Sequence, residues 1–440
     1  MGILEPDKTP VERFVDALHD QNVAAVRALL EAYPEVRAAI NDPISDFDSR
    51  PVARATKNLP LLDVLLEYGA NLNLKSAWWA GGFGLLEHDL TPAEAAPLIA
   101  RGAIVDVFAA AHLGMFDRLR ELVDRDPSLV RARGGDGKTP LHCATTVEIA
   151  RYLLDHGADI DVRDVDHEST PAQYLVREAP DVVRWLVERG AWFDIFIAVG
   201  LRDRPLVERC LSEDPDSLNY RTWHGKYTVA HDGKRPATPT EIGDRRGDIY
   251  RWVFGHNVTA IDVARDLGDD DLERLLLSHA TPSQRLLAAC SGADRAVAEA
   301  IVAGYPGIVA TLSADDRRLI ADKAHANDAE AVGLMLDLGF DPHARGVDDW
   351  EPIRWAAFHG NAELTQRLLA YSPPINVPDP SYGGTLLGAC IYGSLHGWHR
   401  QTGDFATTAE LLIEAGERVD PSRVPTGRED MDAVLRRHLA

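Results

Sequence analysis

Apolar residues recur along this chain at spacings of three, four and seven positions, and each run ends near a glycine or another turn residue. In the stretch TVEIARYLL, residues Val147, Ala150, Leu153 and Leu154 fall on one side of a predicted helix. An isolated helix cannot bury such an apolar stripe, so a neighbouring unit of the same kind has to cover it. The pattern therefore predicts an all-α fold built from stacked helical repeats.

Glycines at the ends of the predicted helices mark the period of the repeat, which is 33 residues from Gly69 to Gly102 and again from Gly157 to Gly190. At a helix end, glycine takes the left-handed conformation that other residues avoid. The six glycines expected in this role are Gly69, Gly102, Gly157, Gly190, Gly339 and Gly416. Thr-Pro pairs at 139–140 and 170–171 predict helix starts, because threonine caps the first turn and proline already has a helical φ.

Residues 135–164, with the tetrapeptide TPLH at 139–142, resemble an ankyrin repeat, and weaker copies begin near Thr259 and Glu351. The resemblance implies a solenoid of about twelve helix pairs joined by short β-hairpins, running from Thr9 to the end of the chain. It also implies that first helices and hairpin tips line a concave groove, and that His142 is a structural hydrogen-bonding residue between neighbouring repeats. Ankyrin stacks serve mostly as binding surfaces.

The largest departure from the period is an insertion at residues 215–258, which separates an N-terminal stack (1–214) from a C-terminal stack (259–440). Its stretches YRTWHGKYTV and IYRWVF alternate between polar and apolar residues, as β-strands do. We therefore expect the insertion to form an enlarged hairpin finger.

Further departures occur at three places. Residues 393–405, GSLHGWHRQTGDF, add about ten positions to the loop between the two helices of one repeat. Residues 164–169, DVDHES, form a dense polar cluster at a hairpin tip, for which a solvated turn is the simplest interpretation. Near residue 76, SAWWAGGFG is expected to expose Trp78 and Trp79. Loops on a rigid scaffold are where function is usually carried.

Several aromatic and basic residues of these segments are mixed with glycines, which suits neither a helix core nor a disordered linker. Aromatic faces combined with hydrogen-bond donors suit a site for a polar organic ligand. The candidate ligand-binding residues are Trp223, His224, Tyr250, Trp252, His256, Trp355, His359, Trp398 and Arg400. For Trp355, a place in the helix core is the competing interpretation.

Two pairs of residues are candidates for acid–base catalysis, which needs such groups within hydrogen-bond reach. They are His399 with Asp404 and His167 with Glu168. The spacing from His396 to His399 is compatible with a metal site, but no cysteine or second close pair joins it, so we expect no metal and no cofactor. The four cysteines are far apart and are expected to be buried free thiols.

The composition narrows the class of partner. With 69 acidic and 46 basic side chains, the net charge is −23, which disfavours nucleic acid and anionic membranes as partners. The first fourteen residues lack a secretory signal, so a cytoplasmic location is expected. Two hypotheses remain: a module that binds a partner protein or peptide, or a binding protein or metal-independent acid–base enzyme for a sugar-like or carboxylated small molecule.

Overall fold

Residues 8–87, 89–380 and 382–439 are described by a computed structural model, in which regular structure is helical. The expectation for the N-terminal signal falls partly on residues 1–7, outside the described residues. Two compact units are present, Asp7–Glu273 and Arg274–Ala440. Within the described ranges no β-strand forms, and one isolated β-bridge pairs Ser45 with Ser49.

The α-helices of the first half of the chain alternate along the sequence with shorter turns. They are α1 (Pro10–His19), α2 (Val23–Ala32), α3 (Pro34–Ala38), α4 (Leu59–Glu67), α5 (Pro92–Ala100), α6 (Val107–His112), α7 (Phe116–Arg125), α8 (Val147–Asp155), α9 (Pro171–Leu175), α10 (Pro180–Val187), α11 (Ile195–Gly200), α12 (Arg204–Glu213), α13 (Pro239–Ile242), α14 (Tyr250–Val253) and α15 (Ala260–Asp266).

The remaining α-helices follow the same pattern. They are α16 (Asp270–His279), α17 (Pro282–Ser291), α18 (Arg295–Gly304), α19 (Ile308–Thr311), α20 (Ala314–Arg317), α21 (Leu319–His325), α22 (Ala329–Asp337), α23 (Pro352–His359), α24 (Ala362–Leu369), α25 (Leu386–His396), α26 (Phe405–Glu414) and α27 (Glu429–Arg437). Short 3₁₀ helices lie at Ala39–Asn41, Asp46–Asp48, Pro51–Ala55, Leu85–Glu87, Pro127–Arg131, Gly135–Gly137, Pro140–Cys143, Pro215–Asn219, Val347–Asp349 and Pro421–Arg423.

The predicted repeat signals are confirmed. All six helix-ending glycines have positive φ, between 87° and 109°. In the best-formed repeat, Ala150 and Leu153 are fully buried, whereas Val147 and Leu154 are only half-buried. This stripe places α8 between α7 and α10. His142 is also structural, because its Nδ1 accepts from the Thr139 backbone N–H (3.1 Å) and its Nε2 lies 3.1 Å from the Ser169 carbonyl oxygen.

The expected β-hairpins and the hairpin finger are wrong for the described residues. Two tight 3₁₀ turns, Gly135–Gly137 and Val347–Asp349, stand where hairpin tips were expected, each with an aspartate at positive φ. In the insertion, IYRWVF contains helix α14 instead of a strand. The physical reason is burial: the hydroxyls of Tyr227 and Tyr250 donate to the buried Asp194 at 2.8 and 2.9 Å, which folds the insertion onto its unit.

Residues 393–405 are only partly a loop. Helix α25 continues through His396, so the first four residues of the segment are helical and the loop is shorter than expected. Gly393 allows this continuation, because it lies directly against the backbone of Phe358 in α23, where a side chain would not fit.

Two further expectations about exposure are wrong. The cluster at 164–169 is not a solvated turn, since Asp164, His167, Glu168 and Ser169 are all buried beneath the insertion. Trp78 is half-buried and its indole N–H donates to the Asp166 carboxylate at 3.0 Å. Trp79 is also half-buried, and its ring packs at a tilt against His231, with centroids 4.7 Å apart.

All four cysteines are free, as predicted, and three of them are buried, whereas Cys143 is only half-buried. Among the described residues, no helix combines the length and the apolar character that crossing a membrane requires.

Candidate functional site

A pocket of about 460 Å³ opens in the unit Arg274–Ala440, and we call it the aromatic pocket. Aromatic rings supply most of its wall. These residues are Trp350, Trp355, Phe358, Tyr382, Tyr392 and Trp398. Four charged residues also line it, namely Asp348, Arg354, Asp379 and Arg423, together with Gly384, Gly388 and Ala389.

The floor and the rim of the aromatic pocket differ in exposure. Trp350, Trp355 and Phe358 are buried and form the floor, with the last two on α23. Tyr382, Tyr392 and Trp398 form the rim and are 67%, 59% and 64% exposed. Trp350 precedes α23, Tyr392 lies on α25, and Trp398 follows directly after α25. Neighbouring repeats therefore bring together residues almost 50 positions apart in the chain.

Ring contacts hold these side chains in place. Trp398 stacks parallel to Trp355 with centroids 6.1 Å apart, and it meets Phe358 edge-on at 5.6 Å. Tyr382 stands perpendicular to Trp350 at 5.8 Å. Neither of the buried indole N–H groups of the floor has a hydrogen-bond acceptor in the described residues. The floor is therefore positioned by packing between aromatic rings.

Of these charged residues, Arg354 and Asp379 form an ion pair with each other. The Arg354 guanidinium donates to the carbonyls of Gly384 (2.8 Å) and Val377 (3.3 Å), and its Nε lies 3.8 Å from Asp379. It thereby fixes the chain that carries Tyr382. Asp348 is not paired in this way, because no ion pair or hydrogen bond reaches its carboxylate within the described chain. Desolvation, together with the negative charge of Asp379, raises the pKa of Asp348.

Three of the sequence-predicted residues meet at the edge of this pocket. The His359 ring lies 5.9 Å from Trp355 and 5.6 Å from Trp398. Its Nε2 lies 2.9 Å from the carbonyl oxygen of His325, and burial lowers its pKa to about 4. His359 is thus neutral near pH 7, and it is buried behind the wall of the pocket rather than lining it.

The pair His399 and Asp404 is not joined by a hydrogen bond. The His399 ring packs against His359 at 4.9 Å. Asp404 is the N-cap of α26, where its carboxylate accepts from the Thr407 N–H at 3.1 Å. Arg400 is half-buried, and its carbonyl accepts from Arg428 at 2.9 Å. The loop after α25 is therefore tied down at both ends.

The other predicted ligand-binding residues lie in the unit Asp7–Glu273. The Arg251 guanidinium lies over the rings of Trp223 (5.3 Å) and Trp252 (5.0 Å), and His256 meets Trp223 edge-on. Trp252 is 59% exposed. His224 is half-buried in the same insertion. Tyr250 is fully buried against Phe196 and Asp194, which leaves no ring face for a ligand.

His167 belongs to a second polar site, the His167 cluster, which consists of Asp136, Asp166, His167 and Asp248. His167 Nδ1 lies 2.8 Å from Asp248 Oδ1, and its Nε2 lies 3.9 Å from carboxylate oxygens of both Asp136 and Asp166. Burial raises the pKa of Asp136 to about 6. Desolvation opposes protonation of His167, but the hydrogen bond and negative charges around it dominate and raise its pKa.

Glu168, predicted as the partner of His167, points elsewhere. Its carboxylate accepts hydrogen bonds from the backbone N–H groups of Ala230 and His231, at 2.9 and 3.1 Å. It anchors the insertion to the repeat tip, and the carboxylate bonded to His167 comes from Asp248.

Sequence reasoning missed several residues of both sites. In the aromatic pocket these are Asp348, Trp350, Arg354, Phe358, Asp379, Tyr382, Tyr392 and Arg423. In the His167 cluster they are Asp136, Asp166 and Asp248. One sequence signal was available, because Asp136 and Asp348 occupy the same turn position before the first helix of a repeat. In the structure both residues have a positive φ, 58° and 55° respectively.

Part of this chain is similar to known proteins. Residues 107–197 match the family model described as ankyrin repeats, three copies. A segment of 116 residues, 26% of this chain, is 31% identical to the Ankyrin repeat and SAM domain-containing protein 6 of Mus musculus and 30% identical to that of Rattus norvegicus. A 57-residue segment, 12% of the chain, is 39% identical to Serine/threonine-protein kinase VIK of Arabidopsis thaliana. Each match spans 13% of the relative's own length.

Proposed function

We propose that this chain, whose residues 107–197 match ankyrin repeats, is a binding protein whose aromatic pocket receives a basic side chain from a partner protein or peptide. Stacked repeats of this kind present extended binding surfaces. The observation that carries the proposal is the aromatic pocket itself, with its buried floor and exposed rim.

Aromatic residues support protein recognition because they are enriched among the side chains that dominate binding energy at protein interfaces. Tyr382, Tyr392 and Trp398 are held by ring contacts although more than half of each side chain is exposed. Such pre-positioned rings lose little conformational entropy when a partner covers them.

Charge supports a basic partner. Asp348 and Asp379 lie at the aromatic pocket. Of its two arginines, Arg354 is engaged by Asp379 and by backbone carbonyls, and Arg423 pairs with Asp420 at 3.8 Å. A lysine or arginine side chain entering there would meet ring faces as well as the Asp348 carboxylate. The net charge of −23 would also raise the association rate of a positively charged partner.

Fluorescent nine-residue peptides that differ only in their number of lysines and arginines would test this function. We expect the parent protein to bind the basic peptides preferentially, and Trp398→Ala to bind them at least about tenfold more weakly, as for an interface hot spot. Trp252→Ala is the matched control, because Trp252 is about as exposed but lies in the other unit. Equal binding by the two variants, or no preference for basic peptides, would refute the proposal.

A small polar molecule is the second candidate ligand, favoured by the pocket volume of about 460 Å³. That volume lies within the range of roughly 300–1,000 Å³ common for small-molecule sites. A thermal-shift screen of sugars, carboxylates and amines would detect such a ligand, because binding to the folded state raises the melting temperature. A ligand of the aromatic pocket should lose this effect in Trp398→Ala and keep it in Trp252→Ala.

A further inference from the structure

Three polar side chains of the His167 cluster lie close together but are separated by a gap that no hydrogen bond crosses. His167 Nε2 lies 3.9 Å from the carboxylate oxygens of Asp136 and of Asp166. A hydrogen bond from a ring N–H to an oxygen is about 2.7–3.2 Å long, so neither contact is a hydrogen bond. Three potential ligand atoms, one from each residue, all lie within 4.8 Å of one another.

The orientation of His167 makes this gap chemically specific. Its Nδ1–H donates to Asp248 at 2.8 Å, so in the neutral ring the lone pair is on Nε2. Nε2 has no hydrogen-bond partner in the described residues, although the side chain of His167 is only 10% exposed. A lone pair 3.9 Å from two carboxylate oxygens, on a side chain largely shielded from solvent, is unfavourable unless a positive charge or a water molecule lies between them.

We propose that Asp136, Asp166 and His167 bind a divalent metal ion, with Zn²⁺ as the best match. One imidazole nitrogen and two carboxylate oxygens form a mixed set that suits zinc, for which carboxylates and histidine are both common ligands. Ligand atoms about 2.1 Å from a tetrahedral zinc ion are about 3.4 Å apart. The two contacts of 3.9 Å would therefore shorten by about 0.5 Å on binding, and the two carboxylates, which lie within 4.8 Å of each other, would also approach.

Two surrounding contacts are of the kind that support metal ligands. Asp248 accepts a hydrogen bond from Nδ1 of His167, the ring nitrogen that would not bind the metal. A metal-binding histidine usually donates its other ring N–H to a carboxylate in this way. The Trp78 indole N–H donates to the Asp166 carboxylate at 3.0 Å and fixes its orientation. Three protein ligands leave a further coordination position for water.

A bound ion would join three separate parts of the unit. Asp136 comes from one repeat turn, Asp166 and His167 come from the next, and Asp248 comes from the insertion. Because the ion would bind the folded arrangement only, it would stabilise the insertion on the repeats. The competing explanation is a proton on Nε2, which would make His167 an imidazolium among acidic groups without any metal.

The full-length protein, free of any histidine tag and dialysed against chelator, would be titrated with Zn²⁺ by calorimetry. We expect one strong site per chain and a higher melting temperature with Zn²⁺. Co²⁺ in its place should give the visible absorption bands of a mixed nitrogen–oxygen site. Asp136→Asn should weaken Zn²⁺ binding at least about tenfold, and Asp248→Asn should weaken it about 10- to 100-fold. Asp348→Asn, in the other unit, is the matched control and should bind as the parent does.

The response of the parent to Zn²⁺ separates the metal from the proton. If a proton occupies the gap, the melting temperature of the parent should not respond to Zn²⁺. Because Asp136→Asn also removes the ion-pair partner of Lys138, whose Nζ lies 4.0 Å from Asp136 Oδ2, this variant is judged by its Zn²⁺ binding and not by its metal-free melting temperature. Absence of a stoichiometric site in the parent, or parent-like binding by Asp136→Asn, would overturn the proposal.

Discussion

Gly393 is the residue whose substitution tests most directly how the aromatic pocket is built. A Cβ atom at this position of α25 would lie 1.9 Å from the carbonyl oxygen of Phe358 in α23. The closest comfortable carbon–oxygen approach is about 3.3 Å, so Gly393→Ala requires a backbone displacement of about 1.4 Å. Because the obstacle is backbone, no side-chain rotation can relieve the clash.

The magnitude follows from two opposing effects. Alanine in a helix interior gains about 0.5–1 kcal/mol over glycine, and overpacking of a filled contact costs about 1–3 kcal/mol. The displacement is large, so we take the upper end of the cost and expect Gly393→Ala to lose about 2 kcal/mol of unfolding free energy. Separation of α23 from α25 should also weaken ligand binding in the aromatic pocket, which has residues of both helices in its wall.

Gly388→Ala provides a matched control in the same helix. Its Cβ would lie 3.1 Å from the guanidinium of Arg423, which is the mobile end of an exposed side chain. We expect this variant to keep the stability of the parent or to gain up to about 1 kcal/mol. Urea unfolding followed by tryptophan fluorescence would measure both variants. Equal midpoints for Gly393→Ala and Gly388→Ala would refute the close contact between the helices.

Other substitutions test the repeat core and the insertion. Leu153→Ala should cost about 2–5 kcal/mol of unfolding free energy, and Leu154→Ala should cost less because that side chain is half-buried; equal urea midpoints would contradict the observed stripe. Tyr250→Phe removes a hydrogen bond to the buried Asp194 and should cost about 1.5–3 kcal/mol, with faster hydrogen exchange in residues 215–258; unchanged exchange there would contradict docking by this bond. His142 has a folded pKa of about 3 and a reference value of 6.5, so only the unfolded chain takes up its proton as pH falls below 6.5. At pH 5 this lowers the unfolding free energy of the parent by about 2 kcal/mol. The difference in unfolding free energy between the parent and His142→Gln should therefore shrink by that amount between pH 7 and pH 5. A difference that stays constant would exclude a buried neutral His142.

The sequence is sufficient for features that depend on a few neighbouring residues. Positive φ at Gly157, the start of α9 after Thr170 and the buried stripe through Leu153 each follow from local conformational preference or helical periodicity. The same reasoning failed for IYRWVF, where alternation suggested a strand. A strand needs a partner strand, and here the hydroxyl of Tyr250 finds Asp194 at a separation of 56 residues instead.

Both candidate sites depend on contacts that only the tertiary structure decides. The stacking of repeats brings Trp350, Trp355 and Trp398 into one wall, although periodicity alone left Trp355 between a core role and a ligand-binding role. In the other unit, His167 meets Asp248 across 81 residues, while the adjacent Glu168 turns toward the insertion. Sequence proximity suggested Glu168, the wrong carboxylate, as the partner of His167. The direction of a side chain at a turn is set by the segment that packs over it, and here that segment is the insertion at residues 215–258, which comes much later in the chain.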